Sequence, residues 1–595
     1  MTLKTKVSNY FALFLREQGI DKVFIVTGGA SIHLLHSLEE TAGIDPIPVH
    51  HEQAAGMAAD GYARAKMSIG AAISTSGPGA TNLLTSIAGA WFDSIPTLFI
   101  TGQVATYRMK GDLEIRQLGF QETDIVQMAR PITKSAVQIT AVSEIEKVLH
   151  DSVELALSGR PGPVLIDIPD DIQRSVGEFS IPKRITKQLS RIPGNSRTFE
   201  LEKIKELLKQ SSRPIIIFGA GANTAITRQF SKEIANTLGI PILVTWRAKD
   251  LIAGDSEFLI GTFGSHGTRW GNFAIQNSDL VLAVGTRLST RETGGDLNTW
   301  ARQAKLVHID IEKAESRKLS VLGKSPELSI HADLDDFLPQ LVEYIGSNFL
   351  TSNWKVWMDW IRQRKMRYAY TSSSKDSAIT GYDFYRSLQS ALATNEQIYV
   401  DTGCTVAWAM QCLEISKSIR IHHDCNNTAM GWALPAAIGG SLASQDRPTT
   451  CISGDGSLMM NLQELSTVKS INKNLRVIVL NNLGYGMVRQ TEDQWMQGKH
   501  IGTDSRSGDL LFPDFVKLAR AFGLRARRVQ NLAELSEALQ TMYESQEINF
   551  LEVVIDPDSK VVPQTRFGYP LEDSEPALSR EELLENMIIP TIDKL

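Results

Sequence analysis

Cysteine is scarce in this chain: Cys404, Cys412, Cys425 and Cys451 are the only four in 595 residues, and none stands at Cys-x-x-Cys or Cys/His metal spacing. That leaves no disulfide framework and no zinc motif to read. Long apolar runs are also missing. An uninterrupted stretch of about 18 apolar residues, the least a spanning helix needs, occurs nowhere. A basic excess is absent as well, since 61 Lys and Arg face 67 Asp and Glu for a net charge of -6, and the basic residues are scattered. No basic stripe points to nucleic acid or an anionic membrane, so small molecules are the expected partners. After Met1-Thr2-Leu3-Lys4, the residues Val7, Phe11, Phe14 and Leu15 share a helical face that ends near Gly19. That pattern reads as a domain helix, neither signal peptide nor anchor, and a cytoplasmic location is expected.

What is present is material for several cores. With 42% hydrophobic and 22% charged residues, a chain of this length predicts three or four domains. Short β-branched runs alternate with helical stretches: Lys22 to Val26, Ala71 to Ser74, Thr97 to Thr101, Val164 to Ile168, Ile215 to Phe218, Leu280 to Val284, Val307 to Ile311, Thr450 to Ser453, Val477 to Leu480 and Phe550 to Ile555. Buried parallel strands of doubly wound α/β units have this form. Ile172 to Arg197 and Ser347 to Lys375 read as boundaries, and Trp354, Trp357 and Trp360 in the second read as a helix packing on its neighbour. Three α/β domains result, spanning 1–175, 190–345 and 375–560, with an acidic tail over 561–595.

The strand ending at Ser453 runs into Gly454-Asp455-Gly456, and roughly two dozen residues later the strand ending at Leu480 runs into Asn481-Asn482. Gly-Asp-Gly alone is an ordinary turn. The pair means more, because parallel strands joined by a crossover bring their carboxyl ends together, where ligands bind in open α/β sheets. A carboxylate, an amide oxygen and a main-chain carbonyl there are the hard ligands that Mg²⁺ takes, leaving room for diphosphate oxygens and water. Elsewhere, Glu52 opens the Ala-rich stretch His51 to Arg64, where an acid favours a helix start.

This combination resembles the thiamine diphosphate enzyme family, whose magnesium motif is Gly-Asp-Gly followed at this distance by Asn-Asn. The resemblance implies three doubly wound parallel-sheet domains: pyrimidine-binding, central and diphosphate-binding. It assigns Asp455, Asn482 and the Gly484 carbonyl to Mg²⁺. It assigns Glu52 to N1′ of the aminopyrimidine, where a shielded carboxylate favours the tautomer that takes the thiazolium C2 proton. Met430 matches the bulky residue that bends the cofactor, and Thr402-Gly403-Cys404 stand where the diphosphate and pyrimidine contacts begin. Further cofactor contacts are implied at Gly29, Arg160, Gly454, Gly456, Ser457 and Met487.

The likeness runs along nearly the whole chain and is closest to the acetolactate (acetohydroxyacid) synthase branch. It is carried by Gly28-Gly29-Ala30, Ser76 to Asn82, Phe120-Gln121-Glu122, Arg160-Pro161-Gly162-Pro163 and Gly486 to Gln490. Simple pyruvate decarboxylases have adjacent histidines near the Phe120 position and a carboxylate near Val488. Neither is present here, so a two-carbon fragment that is not quickly protonated survives to attack a second carbonyl. Phe120, Gln121, Met430 and Val488 are expected to wall the reacting carbon.

Thr491 replaces the tryptophan found in synthases that choose 2-ketobutyrate, and the ending from Phe567 to Pro590 is similar to relatives encoded with nucleotide-sugar pathways. A keto-sugar nucleotide acceptor is therefore the alternative, with a catalytically silent regulatory homologue as a third reading. In the central domain, Gly219-Ala220-Gly221, Thr245, Ser265-His266, Gly285-Thr286-Arg287, Arg291 and Asp310 match positions where acetolactate synthases hold FAD, although Ser289 stands where an aspartate is expected. Its role would be structural, since the chemistry has no net redox step. An NAD dehydrogenase is disfavoured, because the Gly219 turn completes no Gly-x-Gly-x-x-Gly. The family also implies a homodimer or homotetramer, with each cofactor bridging two subunits.

Overall fold

The computed structural model describes residues 2–186, 197–348, 354–370 and 378–592, apart from 417, 445, 472, 473 and 546. Parts of both expected boundaries, 187–196, 349–353 and 371–377, lie outside the described residues. Three six-stranded sheets follow one another along the chain, and every pairing within them is parallel. In the first, Asp45–Pro48, Lys22–Ile25, Gly70–Ser74, Thr97–Gln103, Val164–Pro169 and Ser135–Gln138 lie side by side in that order. The second runs Leu259–Thr262, Ile242–Val244, Pro214–Phe218, Leu280–Val284, Lys305–Asp310 and Leu328–His331. The third runs Arg420–His422, Gln397–Val400, Thr449–Gly454, Leu475–Asn481, Phe550–Val554 and Ala526–Val529. Their inner strands are almost wholly Val, Ile, Leu and Ala because helices cover both faces. Among the described residues no helix is long and apolar enough to cross a membrane.

The first and third domains share a core that includes Phe24, Tyr62, Tyr399 and Trp432. Its seam joins the helix Glu52–Lys66 to the helix Ala433–Ala443, both built largely of Ala and Gly. A methyl added to Gly439 would stand 1.9 Å from the Ala58 carbonyl oxygen, and one on Gly61 would stand 2.1 Å from that of Ala436. Only glycine permits so close an approach. The His50 N–H also donates to Glu464 of the third domain (3.0 Å), so the start of the Glu52 helix is held from both sides.

Trp354 and Trp357 enter the central core, with Trp360 packed against it. Among its described residues the tail carries no strand, but it is integral to the molecule. Val561 and Gln564 bond the Gln490 side chain, Thr565 N–H reaches the Ser265 carbonyl (2.7 Å), and Glu572 is buried against Gln276 and Arg302 of the central domain. At Thr2–Lys6 an antiparallel strand pairs with Val176–Ser180 and straps the start of the chain to the end of the first domain.

Candidate active site

Glu52 is the first residue of its helix, where the N-terminal dipole favours a carboxylate. The Asn82 amide donates to its Oε2 (2.9 Å), and Gly79 lies so close that a methyl there would be 3.2 Å from Oε1. Gly79 lies in the short helix Pro78–Thr81 that follows the strand Gly70–Ser74, and Gly77 at its N-cap is packed against Gln121. Glu52, Asn82 and Gln121 therefore gather at the carboxyl end of the first sheet, with Gly29 beside them at the end of Lys22–Ile25 and open space over its Cα. Glu122 accepts from the N–H groups of Lys110, Leu118 and Gly119 and pins its own loop. That loop holds Phe120 out at 85% exposure.

A second cluster forms at the carboxyl end of the third sheet. Adjacent parallel strands place Gly454 opposite Leu480, which brings the Asp455 and Asn482 turns together. Asp455 Oδ1 accepts from the Gly456 N–H (2.7 Å) and Oδ2 from that of Gly484 (3.0 Å), while burial pushes its carboxyl up to about 7. Gly484 has φ +150°, and a methyl there would strike the Thr503 carbonyl. Arg489 donates to the Asn482 carbonyl (2.8 Å) and pairs with Asp504 (3.2 Å). One buried carboxylate, one carboxamide and one carbonyl on a fixed turn are a donor set that fits Mg²⁺.

Gly403, with φ +83°, starts the helix Cys404–Cys412 in the same cluster, with Thr402 before it. Ser457 is buried within the short helix Asp455–Leu458, and Met487 is half-buried at the start of the helix Gly486–Trp495. Met430 sits on a turn fixed by Asp401, which accepts from the Gly431 and Thr402 N–H groups, and by Asn461, which donates to the Gly431 carbonyl. Burial pushes Asp401 up to about 6. Sequence reasoning passed over Asp401, although an acid directly after a buried strand was a visible signal.

The central-domain positions converge too. Gly219 and Gly221 pack on Gly285, where two strand ends meet backbone to backbone. Thr245 directly follows the neighbouring strand Ile242–Val244, and Arg287 reaches Asn426 of the third domain (2.7 Å). Arg291 lies over Trp246 (4.2 Å) and donates to Cys425 Sγ (2.6 Å). Arg160 crosses from the first domain to Glu312 (2.7 Å), two residues beyond Asp310. Ser289 is held in a local cap, its N–H bonded to Glu292 (2.7 Å).

Among the described residues, Ser265 Oγ, both ring nitrogens of His266 and of His423, and Asp424 Oδ1 are buried without a hydrogen-bond partner. Burial and then Arg291 push His266 down to about 4 and His423 to about 3, whereas burial and Asp93 push Asp424 up to about 7. Unmet polar atoms beside a glycine cradle and a tryptophan fit a large, flat, polar ligand such as a flavin. His423 and Asp424 carry no local motif and emerge only from the packing of three domains. No hydrogen bond or ion pair joins the Glu52 cluster to the Asp455 cluster among the described residues.

Three family profiles match this chain in sequence order: the N-terminal TPP binding domain of thiamine pyrophosphate enzymes over residues 5–128, their central domain over 201–341 and their C-terminal TPP binding domain over 401–553. Fold and site together define a thiamine pyrophosphate enzyme. The chain is 33% identical to the acetolactate synthase isozyme 2 large subunit of Escherichia coli (strain K12), covering 96% of this chain and 98% of that one. It is 34% identical to the chloroplastic acetolactate synthase of Arabidopsis thaliana, covering 94% of this chain and 82% of that one. The acetolactate synthase large subunit of Corynebacterium glutamicum is 33% identical over 95% of this chain and 89% of its own length. The chain belongs to the thiamine pyrophosphate enzyme family, in its acetolactate synthase-like branch.

Proposed function

We propose that the protein decarboxylates pyruvate and joins the two-carbon fragment to a second keto compound, using thiamine diphosphate and Mg²⁺. The observation that carries this reading is the pair of preformed clusters, Glu52 with Asn82 and Asp455 with Asn482 and Gly484, in a chain similar to acetolactate synthases along nearly its whole length. Acetolactate has five carbons, which is two pyruvates less one CO₂. Thiamine diphosphate, when bound, supplies the electron sink for decarboxylation.

The chain's own residues do the rest. Asp455, Asn482 and the Gly484 carbonyl would hold the metal, and the amides after Gly403 and Gly454 would face the diphosphate. Glu52 would hold a proton at N1′ of the aminopyrimidine, with Asn82 fixing the carboxylate. Met430, on its pinned turn, would support the cofactor, with Met487 and Gly29 as further contacts. Phe120, Gln121 and Val488 offer no ionisable proton donor, which favours carboligation over aldehyde release.

Transfer to a nucleotide keto-sugar and a silent regulatory role are not favoured by relatives named acetolactate synthases, and both clusters retain their ionisable groups. FAD is proposed for the central crevice in a structural role, supported by the unmet atoms of Ser265, His266, His423 and Asp424. At least a homodimer, and commonly a tetramer, is proposed. The exposure of Phe120 and of Tyr107, Leu118, Ile501 and Leu511 near the two clusters supports a partner completing the site. Incubating the protein with pyruvate, thiamine diphosphate and Mg²⁺ should yield acetolactate; acetaldehyde as the sole product would overturn the reading.

A further inference from the structure

The metal assignment uses only the second residue of the Asn481-Asn482 pair. Asn481 closes the strand Leu475–Asn481 and is 7% exposed. Its Nδ2 donates to Glu552 Oε1 (2.8 Å), and its Oδ1 accepts from the Leu483 N–H (3.1 Å). Glu552 lies in the middle of the neighbouring strand Phe550–Val554, only 1% exposed, and its other oxygen accepts from Arg528 Nε (2.8 Å). Arg528 in turn donates to Asp514 (3.0 Å). A chain of charge-assisted bonds thus runs from the surface to the metal turn.

Both Glu552 oxygens accept, one from Arg528 and one from Asn481, so Glu552 dictates which end of the Asn481 carboxamide faces it. Nδ2 must point to Glu552, which leaves Oδ1 for the Leu483 N–H. A flipped amide would set donor against donor. Leu483 adopts φ +59°, a left-handed conformation unusual for leucine, and its carbonyl is held by Ser505 N–H (2.9 Å). Asn482 and Gly484 flank that bend, and Gly484 bonds Asp455 directly. A buried carboxylate in mid-sheet is costly unless it is paired, and Glu552 has Arg528 and Asn481 as its partners.

We propose that Glu552 is a positioning residue for the metal turn: acting through Asn481, it fixes the bend that presents the Asn482 side chain and the Gly484 carbonyl to Mg²⁺. This rests on the proposed Mg²⁺ ligands. The test uses the full chain and reads the Mg²⁺ concentration for half-maximal thiamine diphosphate binding, followed by tryptophan quenching, beside the unfolding temperature of the cofactor-free protein.

Glu552→Leu should raise that Mg²⁺ concentration about 10- to 100-fold, the range for groups that orient metal ligands. Asn481→Leu should raise it by a similar factor. Glu552→Gln keeps one acceptor oxygen for Asn481 but turns its NH2 towards Arg528, so it should recover only part of the affinity, and the double leucine variant should be no worse than the weaker single one. A lowered unfolding temperature with unchanged Mg²⁺ dependence in Glu552→Leu would overturn the inference. Should Glu552→Leu fail to fold, unchanged Mg²⁺ dependence in Asn481→Leu would overturn it as well. Asp455→Ala is the control for the underlying reading: if it binds cofactor with normal Mg²⁺ dependence, the metal assignment falls and takes this inference with it.

Discussion

Replacing Gly439 by alanine should destabilise the protein, although alanine is the better helix former. In an exposed helix the exchange gains about 1 kcal/mol. At Gly439 the new methyl would stand 1.9 Å from the Ala58 carbonyl oxygen, a backbone atom that no rotamer can move. To reach ordinary contact the two helices must part by about 1.5 Å along a seam of small residues, and overpacking of this kind costs about 1 to 3 kcal/mol or more. With backbone struck, the upper figure applies, so the net loss is about 2 kcal/mol. The seam also carries Glu52 at one end and the Met430 turn near the other, so thiamine diphosphate affinity should fall with stability. Gly346 is the control, since it lies in the helix Leu334–Asn348 with no atom within 4 Å of an added methyl. Gly346→Ala should leave the thermal midpoint equal or slightly raised, while Gly439→Ala lowers it by several degrees in a fluorimetric melt. A Gly439→Ala midpoint at or above that of the parent would refute the reasoning.

Asp455→Ala should abolish Mg²⁺-dependent cofactor binding, measured by titration, because two neutral oxygens hold a strongly hydrated cation poorly. Glu52→Gln should keep the fold and cofactor binding while turnover falls on the order of 10²- to 10⁴-fold; wild-type turnover would reduce Glu52 to a helix-start residue. Mixing Glu52→Gln with Asp455→Ala protein should restore some activity if subunits exchange, and a fully active monomer in sedimentation would refute shared sites. Thr491→Trp should shift acceptor choice towards 2-ketobutyrate over pyruvate by about 1 to 3 kcal/mol in product ratio. A parent enzyme already strongly favouring 2-ketobutyrate would show that Thr491 does not line the acceptor space.

The apolar runs mark ten strands, and all ten are present with ends shifted by a few residues. None of the six edge strands is among them. Asp45–Pro48, Leu328–His331 and Ala526–Val529 face neighbours on one side only, and their sequences carry Pro, Ser, His and Arg where a central strand carries Val and Ile. The inner strand Ile242–Val244 is too short for a run to stand out, and Gln397–Val400 opens on a glutamine, which leaves only three apolar residues. In the site, Asp455, Asn482, Gly484 and the Gly219 and Gly285 turns were picked out by motifs that match the family's, and the structure brings the first three together and packs Gly219 on Gly285. His423, Asp424 and Glu552 were not, since each acquires its role from partners distant in sequence or from domain packing; Asp401 was visible as an acid after a buried strand, but its turn partners Gly431 and Asn461 were not. The exposure of Phe120 was equally illegible, because periodicity cannot distinguish a core aromatic from one left bare.

The tail segment Val561 to Thr565 touches the Gln490 side chain beside the acceptor position and the Ser265 carbonyl beside His266. Its substitutions are therefore pleiotropic by construction. In a mutational library selected for new acceptors, changes in this segment should surface as hits that also alter retention of the proposed flavin, whereas changes at the exposed Thr491 should not. If the central crevice holds the proposed FAD, acceptor scope and flavin dependence are tied together by five residues that belong to neither proposed pocket.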